Sequence, residues 1–381
     1  MSFPVVVPSV RQSVLPAWIG PTFAAVVVQA ALMAVYLARF GGDPSALVSV
    51  RQDAVGKFPF EYVRTSLSEE GFDGQFYYAI ARDPWHKQDE RAIVLPGYRH
   101  QRILYPALGW LLSGGDGKKL LWALPAVNLM AFGALAGLGA VFATRFGRNP
   151  WWGFFLPLMV NAGTPALRDL TDPLATLALF GLLATFICRG SAIALMAWAA
   201  AAAFSREQNV LVIGMIGASL LLQRRWLAVG ALALVLAAWG GWLWRLREMY
   251  GYWPFAGDNL AAPFAGMWYR LQHLRGDEAA RAAPIHAVGL ICILAQVGVC
   301  LIMPMWRAEK VVALTALAGA ALAVCGGPAI YMSGHSYMRV FAMMPLGIWL
   351  WTVHSGRTWP ALLLSPALLW PCYALFQVWR P

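Results

Sequence analysis

The chain has 381 residues, 60% of them hydrophobic and only 12% charged, with a formal net charge of +11. Soluble domains carry about 25% charged residues, so this balance excludes an ordinary soluble globular class. Lys and Arg stand singly or in pairs between apolar blocks rather than in one stripe, which reads as a membrane orientation signal and not as a nucleic-acid footprint.

The first residues, Met1 to Pro16, hold one Arg and no A-x-A-like cleavage site, and the apolar run there is read as a retained first span. Apolar blocks then predict spans at 17–38, 119–143, 150–167, 173–188, 190–205 and 208–223. Further blocks follow at 226–244, 285–306, 310–329, 338–353 and 358–378. A crossing takes about 20 residues, so the shorter ones need ends lined by protein or water. The run from Ile103 to Leu112 is too short to cross and is expected along the interface.

With the N-terminus inside, each short inner loop carries a basic residue: Arg145 and Arg148, Arg189, Arg224 and Arg225, Arg307 and Lys310, then Arg357. The expected fold is all-α, a polytopic membrane bundle of about 11 transmembrane helices forming one domain over 1–381. Two long extracytoplasmic segments remain, 39–118 with interfacial helices and 245–284. Loops of this length are usually functional, and 39–118 is the expected catalytic loop.

Five cysteines (Cys188, Cys292, Cys300, Cys325 and Cys372) lie in or beside apolar blocks at no metal-binding spacing. The chain has no Walker A loop, dinucleotide fingerprint, HExxH or GxSxG.

Polar clusters mark where chemistry can sit. In Gly71-Phe72-Asp73-Gly74-Gln75-Phe76-Tyr77, a helix from Gln75 would turn Phe76, Ala79 and Ile80 to the membrane surface. Asp73 would stand at its N-terminus, either as a simple cap or facing a ligand. Arg99 and Arg102 precede the interfacial run, suited to phosphate oxygens or to plain anchoring. Arg168, Asp169 and Asp172 precede Pro173 and either pair and cap or act at a ligand. Ser205-Arg206-Glu207-Gln208-Asn209 breaks two apolar runs, and local pairing of Arg206 with Glu207 is its bland account. His335 and Arg339 open the tenth predicted span.

The order of these pieces resembles the GT-C membrane glycosyltransferases, chiefly the GPI mannosyltransferase II (PIG-V)-like branch. Protein O-mannosyltransferases and lipid A aminoarabinose transferases are more loosely similar. Asp73, Tyr77, Ile80 and Ala81 fit that branch's Asp-x-x-x-Tyr-x-x-Ile-Ala pattern, and Ile103-Leu104-Tyr105-Pro106 resembles its Pro-Leu-Tyr-Pro. Its Thr-Arg-Pro-x-Gly segment is similar in place to residues 205–209, without the Pro and Gly, which leaves the role of Glu207 open. The likeness covers about residues 15–225 in layout.

The resemblance implies an inverting transfer of a sugar from a polyprenyl-phosphate donor to a lipid, glycan or protein acceptor. Asp73 would be the catalytic base, and Arg206, Arg102 and Arg339 the phosphate ligands. Gln75 and Tyr77 would contact the sugar, Arg168, Glu207 and His335 the substrates more broadly. Asp169 and Asp172 would assist at the acceptor or hold a divalent cation, Mg or Mn. Besides substrates the partners expected are membrane lipids, in a bacterial inner membrane with a periplasmic site, and no nucleic acid. The rival readings are a lipid or polysaccharide flippase, which would show intramembrane charges on several helices, and a non-catalytic scaffold of polysaccharide assembly.

Overall fold

Long apolar runs punctuated by Gly, Pro and single charges leave the backbone no partner but itself, and it closes its hydrogen bonds within helices. The computed structural model describes residues 16–66, 69, 71–85, 95–255, 257–273, 279–303, 309–332, 334–368 and 375. The chain begins with α1 (Ile19–Ala38), α2 (Ser45–Val48), α3 (Gly74–Arg82), α4 (Pro96–His100) and α5 (Leu104–Ser113). Then come α6 (Gly117–Arg145), α7 (Trp152–Met159), α8 (Gly163–Ala166), α9 (Asp172–Ile187) and α10 (Ala192–Ser205). The second half holds α11 (Asn209–Leu222), α12 (Trp226–Tyr250), α13 (Ala265–Gln272), α14 (Ala279–Ile302) and α15 (Lys310–Val324). Four short or medium helices complete it: α16 (Pro328–Tyr331), α17 (Gly334–Val340), α18 (Met343–Ser355) and α19 (Trp359–Leu362). No strand occurs among the described residues; one isolated bridge joins Leu260 to Gly326.

Local chemistry sets the ends. Asp116, Ser191 and Glu309 accept backbone N–H bonds at the starts of α6, α10 and α15, satisfying donors the first turn leaves open. Gly251 and Gly356 close α12 and α18 with left-handed backbone.

Three helices, α1, α6 and α12, are long and apolar enough to cross a membrane by length and composition. They differ in position. The apolar window of α6 is 67% buried, that of α12 only 22%, so α6 is the axis and α12 lies outside. α1, α5, α7 and α9 pack on α6; α10 joins α9 to α12; α15 packs on α18, α14 and α11. Small residues allow the closest crossing. A Cβ on Gly153 would come 2.2 Å from the Ala140 nitrogen, so α7 meets α6 backbone to backbone.

Several predicted spans are not continuous. The block 150–167 is split into α7 and α8 by a turn at Asn161, whose φ of 54° Asn tolerates. The block 310–329 ends as α15 with α16 beyond Gly326-Gly327, and 338–353 is divided between α17 and α18. In 358–378 only α19, a 3-10 turn at Ser365–Leu368 and Leu375 fall among the described residues. The run from Ile103 to Leu112, expected along the interface, is helix α5, shifted by one residue.

Candidate functional site

Five separate parts of the chain bring charge to one end of the bundle, where α9 begins and α10 ends. Asp73 stands just before α3, Arg99 and Arg102 on and just past α4, and Asp172 is the first residue of α9. Arg206 and Glu207 form the break between α10 and α11, and Arg339 lies on α17.

The backbone delivers Asp73 by close approach. Gly74 sits against the loop before α9, where a Cβ would come 2.3 Å from the Arg168 carbonyl oxygen and 2.9 Å from that of Val48. Phe72 N–H donates to the Ser49 carbonyl at 2.8 Å, fixing the turn into α3. Asp73 is not a helix cap: its side chain makes no capping bond. Oδ1 lies 2.8 Å from Arg99 Nη1 and Oδ2 lies 2.9 Å from Arg339 Nη2.

Arg339 is shared. Its Nη1 donates to Asp172 Oδ2 at 2.9 Å, and Asp172 Oδ1 also accepts from Arg206 Nη1. Arg102 grips Glu207 with a fork, Nε to Oε2 at 2.8 Å and Nη2 to Oε1 at 2.6 Å, the bidentate geometry that makes guanidinium–carboxylate pairs strong. Its Nη1 donates to the Tyr77 hydroxyl at 3.0 Å and its Nη2 to that of Tyr98 at 2.6 Å. The Tyr98 hydroxyl in turn donates to Glu207 Oε1 at 3.2 Å and accepts from Asn259 Nδ2 at 3.0 Å.

Four guanidiniums thus face three carboxylates, leaving an excess of one positive charge. Burial pushes Asp73 up, but Arg99, Arg339 and Arg102 outweigh it and hold the carboxyl at about 2. Glu207, also raised by burial, is brought to about 2 by Arg102 and Arg206. Burial, with Arg102 and Arg339 adding, lowers Arg206 to about 10, so it keeps its charge at neutral pH. Arg99, Arg206 and Arg339 each retain a buried Nε with no hydrogen-bond partner among the described residues. Buried donors are seldom left open, and three beside an excess positive charge fit an anion with several oxygens.

The remaining expected site residues divide. Tyr77 touches the cluster through Arg102 and packs edge-on against Tyr105 at 5.9 Å. Gln75 belongs elsewhere: its Oε1 accepts from the Arg51 backbone N–H at 3.1 Å. Arg168 is buried under aromatic faces, 4.6 Å from the Phe72 ring and 5.7 Å from that of Tyr36, and makes no ion pair among the described residues. Asp169 is fully buried 3.5 Å from the Tyr105 hydroxyl, and burial raises its carboxyl well above the ordinary range. Asp169 and Asp172 therefore do not form a matched pair. Among the described residues no group of three His, Cys, Asp or Glu side chains is placed to hold a metal ion. His335 lies on α17 with its side chain outside the described residues.

Local accounts of these residues are overturned. Arg206 pairs with Asp172 rather than with its neighbour Glu207, which goes to Arg102. Arg102 is buried, not a surface anchor, and Arg339 is buried as well. Residues Gly74 to Ala81 of α3 are all buried, so Phe76, Ala79 and Ile80 do not form an outward apolar face, and Phe76 instead lies 4.8 Å beneath Arg99. Arg99, offered above as a phosphate-binding or anchoring arginine, joins the site, as do Tyr98 and Asn259, which were not singled out. The first two were legible, because spacings of three and four set Arg99 and Tyr98 beside Arg102 on a helical turn. Asn259 had no such signal.

No family model, curated protein or solved structure matches the chain.

Proposed function

We propose that the chain is a polytopic GT-C-like membrane enzyme, an inverting glycosyltransferase acting on the outer face of a bacterial inner membrane. It would take its sugar from a polyprenyl phosphate and pass it to a lipid, glycan or protein acceptor. One observation carries the reading. Asp73, with 19% of its side chain exposed, reaches solvent from within a cluster of guanidiniums at the end of a stack of apolar helices.

That combination suits a donor with an apolar tail and an anionic leaving group. The acceptor hydroxyl attacks the anomeric carbon while the Asp73 carboxylate takes its proton. The bond from that carbon to the phosphate oxygen breaks, and the phosphate leaves with the electron pair among Arg99, Arg339 and Arg206. A single displacement inverts the anomeric centre. Tyr98 and Tyr77 hold Arg102 in its fork, and Glu207 fixes it there. Arg168 and Gln75 brace the chain at Ser49 and Arg51, Asp169 lies against Tyr105, and none of the three is given contact with substrate.

A transporter has the same need for polar groups among apolar helices. The charges here sit at helix ends and breaks, a placement both readings allow. Asp73→Asn, tested in proteoliposomes with a polyprenyl-phosphate sugar, separates the two. Transfer should fall by about 10²–10⁴-fold, the range one general base supplies. Undiminished transfer removes Asp73 as the base, and loss of transbilayer lipid movement alone favours the transporter.

A further inference from the structure

Asp73 is held by two guanidiniums, one on each oxygen, at 2.8 Å from Arg99 and 2.9 Å from Arg339. To an arginine, a carboxylate and a phosphate present the same feature, adjacent anionic oxygens at matching spacing. Both arginines still carry a buried Nε–H without a hydrogen-bond partner among the described residues, so the carboxylate satisfies them incompletely. The donor's phosphate diester matches that pair of oxygens, and the monoester it leaves as has three, one acceptor more than Asp73 offers.

Resting on the glycosyltransferase reading, we propose that Asp73 is an internal competitor for its own site: it occupies the seat of the donor's phosphate, and donor binding draws Arg99 and Arg339 away from it. The carboxylate is thereby released to act as a base only when a donor is present. Clamped by two arginines, Asp73 accepts a proton poorly; once they turn to the phosphate, burial, which favours the protonated form, is opposed only by the unbonded Arg102. Arg339 is the pivot, because its second nitrogen stays on Asp172 at 2.9 Å while the first moves. In the transfer step the acceptor's proton goes to Asp73, the new carbon–oxygen bond forms, and the electrons of the broken bond end on the phosphate that the arginines now hold. An acceptor arriving first meets an inactive base.

The test uses farnesyl phosphate as the probe, titrated against the full chain in nanodiscs, with binding followed by thermophoresis. A competitor's removal tightens binding, so Asp73→Asn should bind farnesyl phosphate about tenfold more tightly than the wild type while losing transfer. In an Arg339→Gln background that gain should shrink, since Arg339 is one of the two arginines through which the competition runs. An equal gain in both backgrounds means only a general charge effect, and it overturns the proposal. So does wild-type binding that Asp73→Asn leaves unchanged or weakens, and that result leaves the glycosyltransferase reading standing. Binding in none of the proteins sinks both.

Should Asp73→Asn not fold, infrared difference spectra of the wild type with ¹³C-labelled aspartate decide the matter. A shift of the carboxylate stretch on adding farnesyl phosphate supports the handover, and an unmoved band refutes it.

Discussion

Asp169 and Asp172 stand three positions apart and have opposite circumstances. Asp172 lies between Arg206 and Arg339, whereas Asp169 lies beside a tyrosine hydroxyl and makes no ion pair among the described residues. Removing one member of a buried pair leaves the other charge stranded, which costs about 3–5 kcal/mol. Asp172→Asn should therefore lower Tm sharply in detergent, while Asp169→Asn should leave Tm unchanged or raise it near pH 7. The sign follows from linkage. A carboxyl whose folded value is raised gives full stability below its free value and loses it as pH rises, and the amide removes that loss. Asp73 and Glu207 work the other way. Both are held at about 2, so their contribution is present above the free carboxylate value and lost as pH falls toward about 2. Acid unfolding followed by circular dichroism should show this loss between about pH 4 and 2, and Glu207→Gln should flatten it.

At the scale of elements, apolar periodicity and terminal signals carried far. α1, α6, α9, α10, α11 and α12 begin within a few residues of their expected positions, because each is an unbroken apolar run closed by charge, Gly or Pro. The breaks inside 150–167 and 338–353 were hidden, since Asn161 and the Phe341-Ala342 pair interrupt helices without interrupting hydrophobicity. Helical periodicity lays Phe76, Ala79 and Ile80 of α3 on the membrane surface, but α2, α4, α5 and α6 all pack on this helix. That packing hangs on Gly74. Gly74→Ala drives a methyl into two carbonyl oxygens and should destabilise by about 1–3 kcal/mol, the usual cost of overpacking. Thermal shift measures the destabilisation, and a retained Tm with full transfer would show that α3 can retreat without disturbing Asp73.

Across the whole molecule, which charged residues matter was largely readable, and which partners they choose was not. Local sequence offers Arg206 its neighbour Glu207, yet the fold gives it Asp172, 34 positions away, and joins Asp73 to Arg339 across 266. Pairings of that reach depend on how helices stack, which periodicity does not encode. Sidedness remains a matter for the intact bilayer. Gln75 is too buried to label, but Asp53 is exposed, so Asp53→Cys with the native cysteines replaced should react with an impermeant maleimide from outside only. Labelling from inside alone would reverse the orientation and remove the lipid-linked donor.

The sharing of Arg339 also bears on how the protein is made. A ribosome completes Asp73, Asp172 and Glu207, together with Arg99, Arg102 and Arg206, more than a hundred residues before it reaches position 339. Until then three acids meet three bases and the cluster is electrically even. The excess positive charge arrives with one late residue, so a fragment released early would carry much of the apolar framework but a weaker pull on a phosphate.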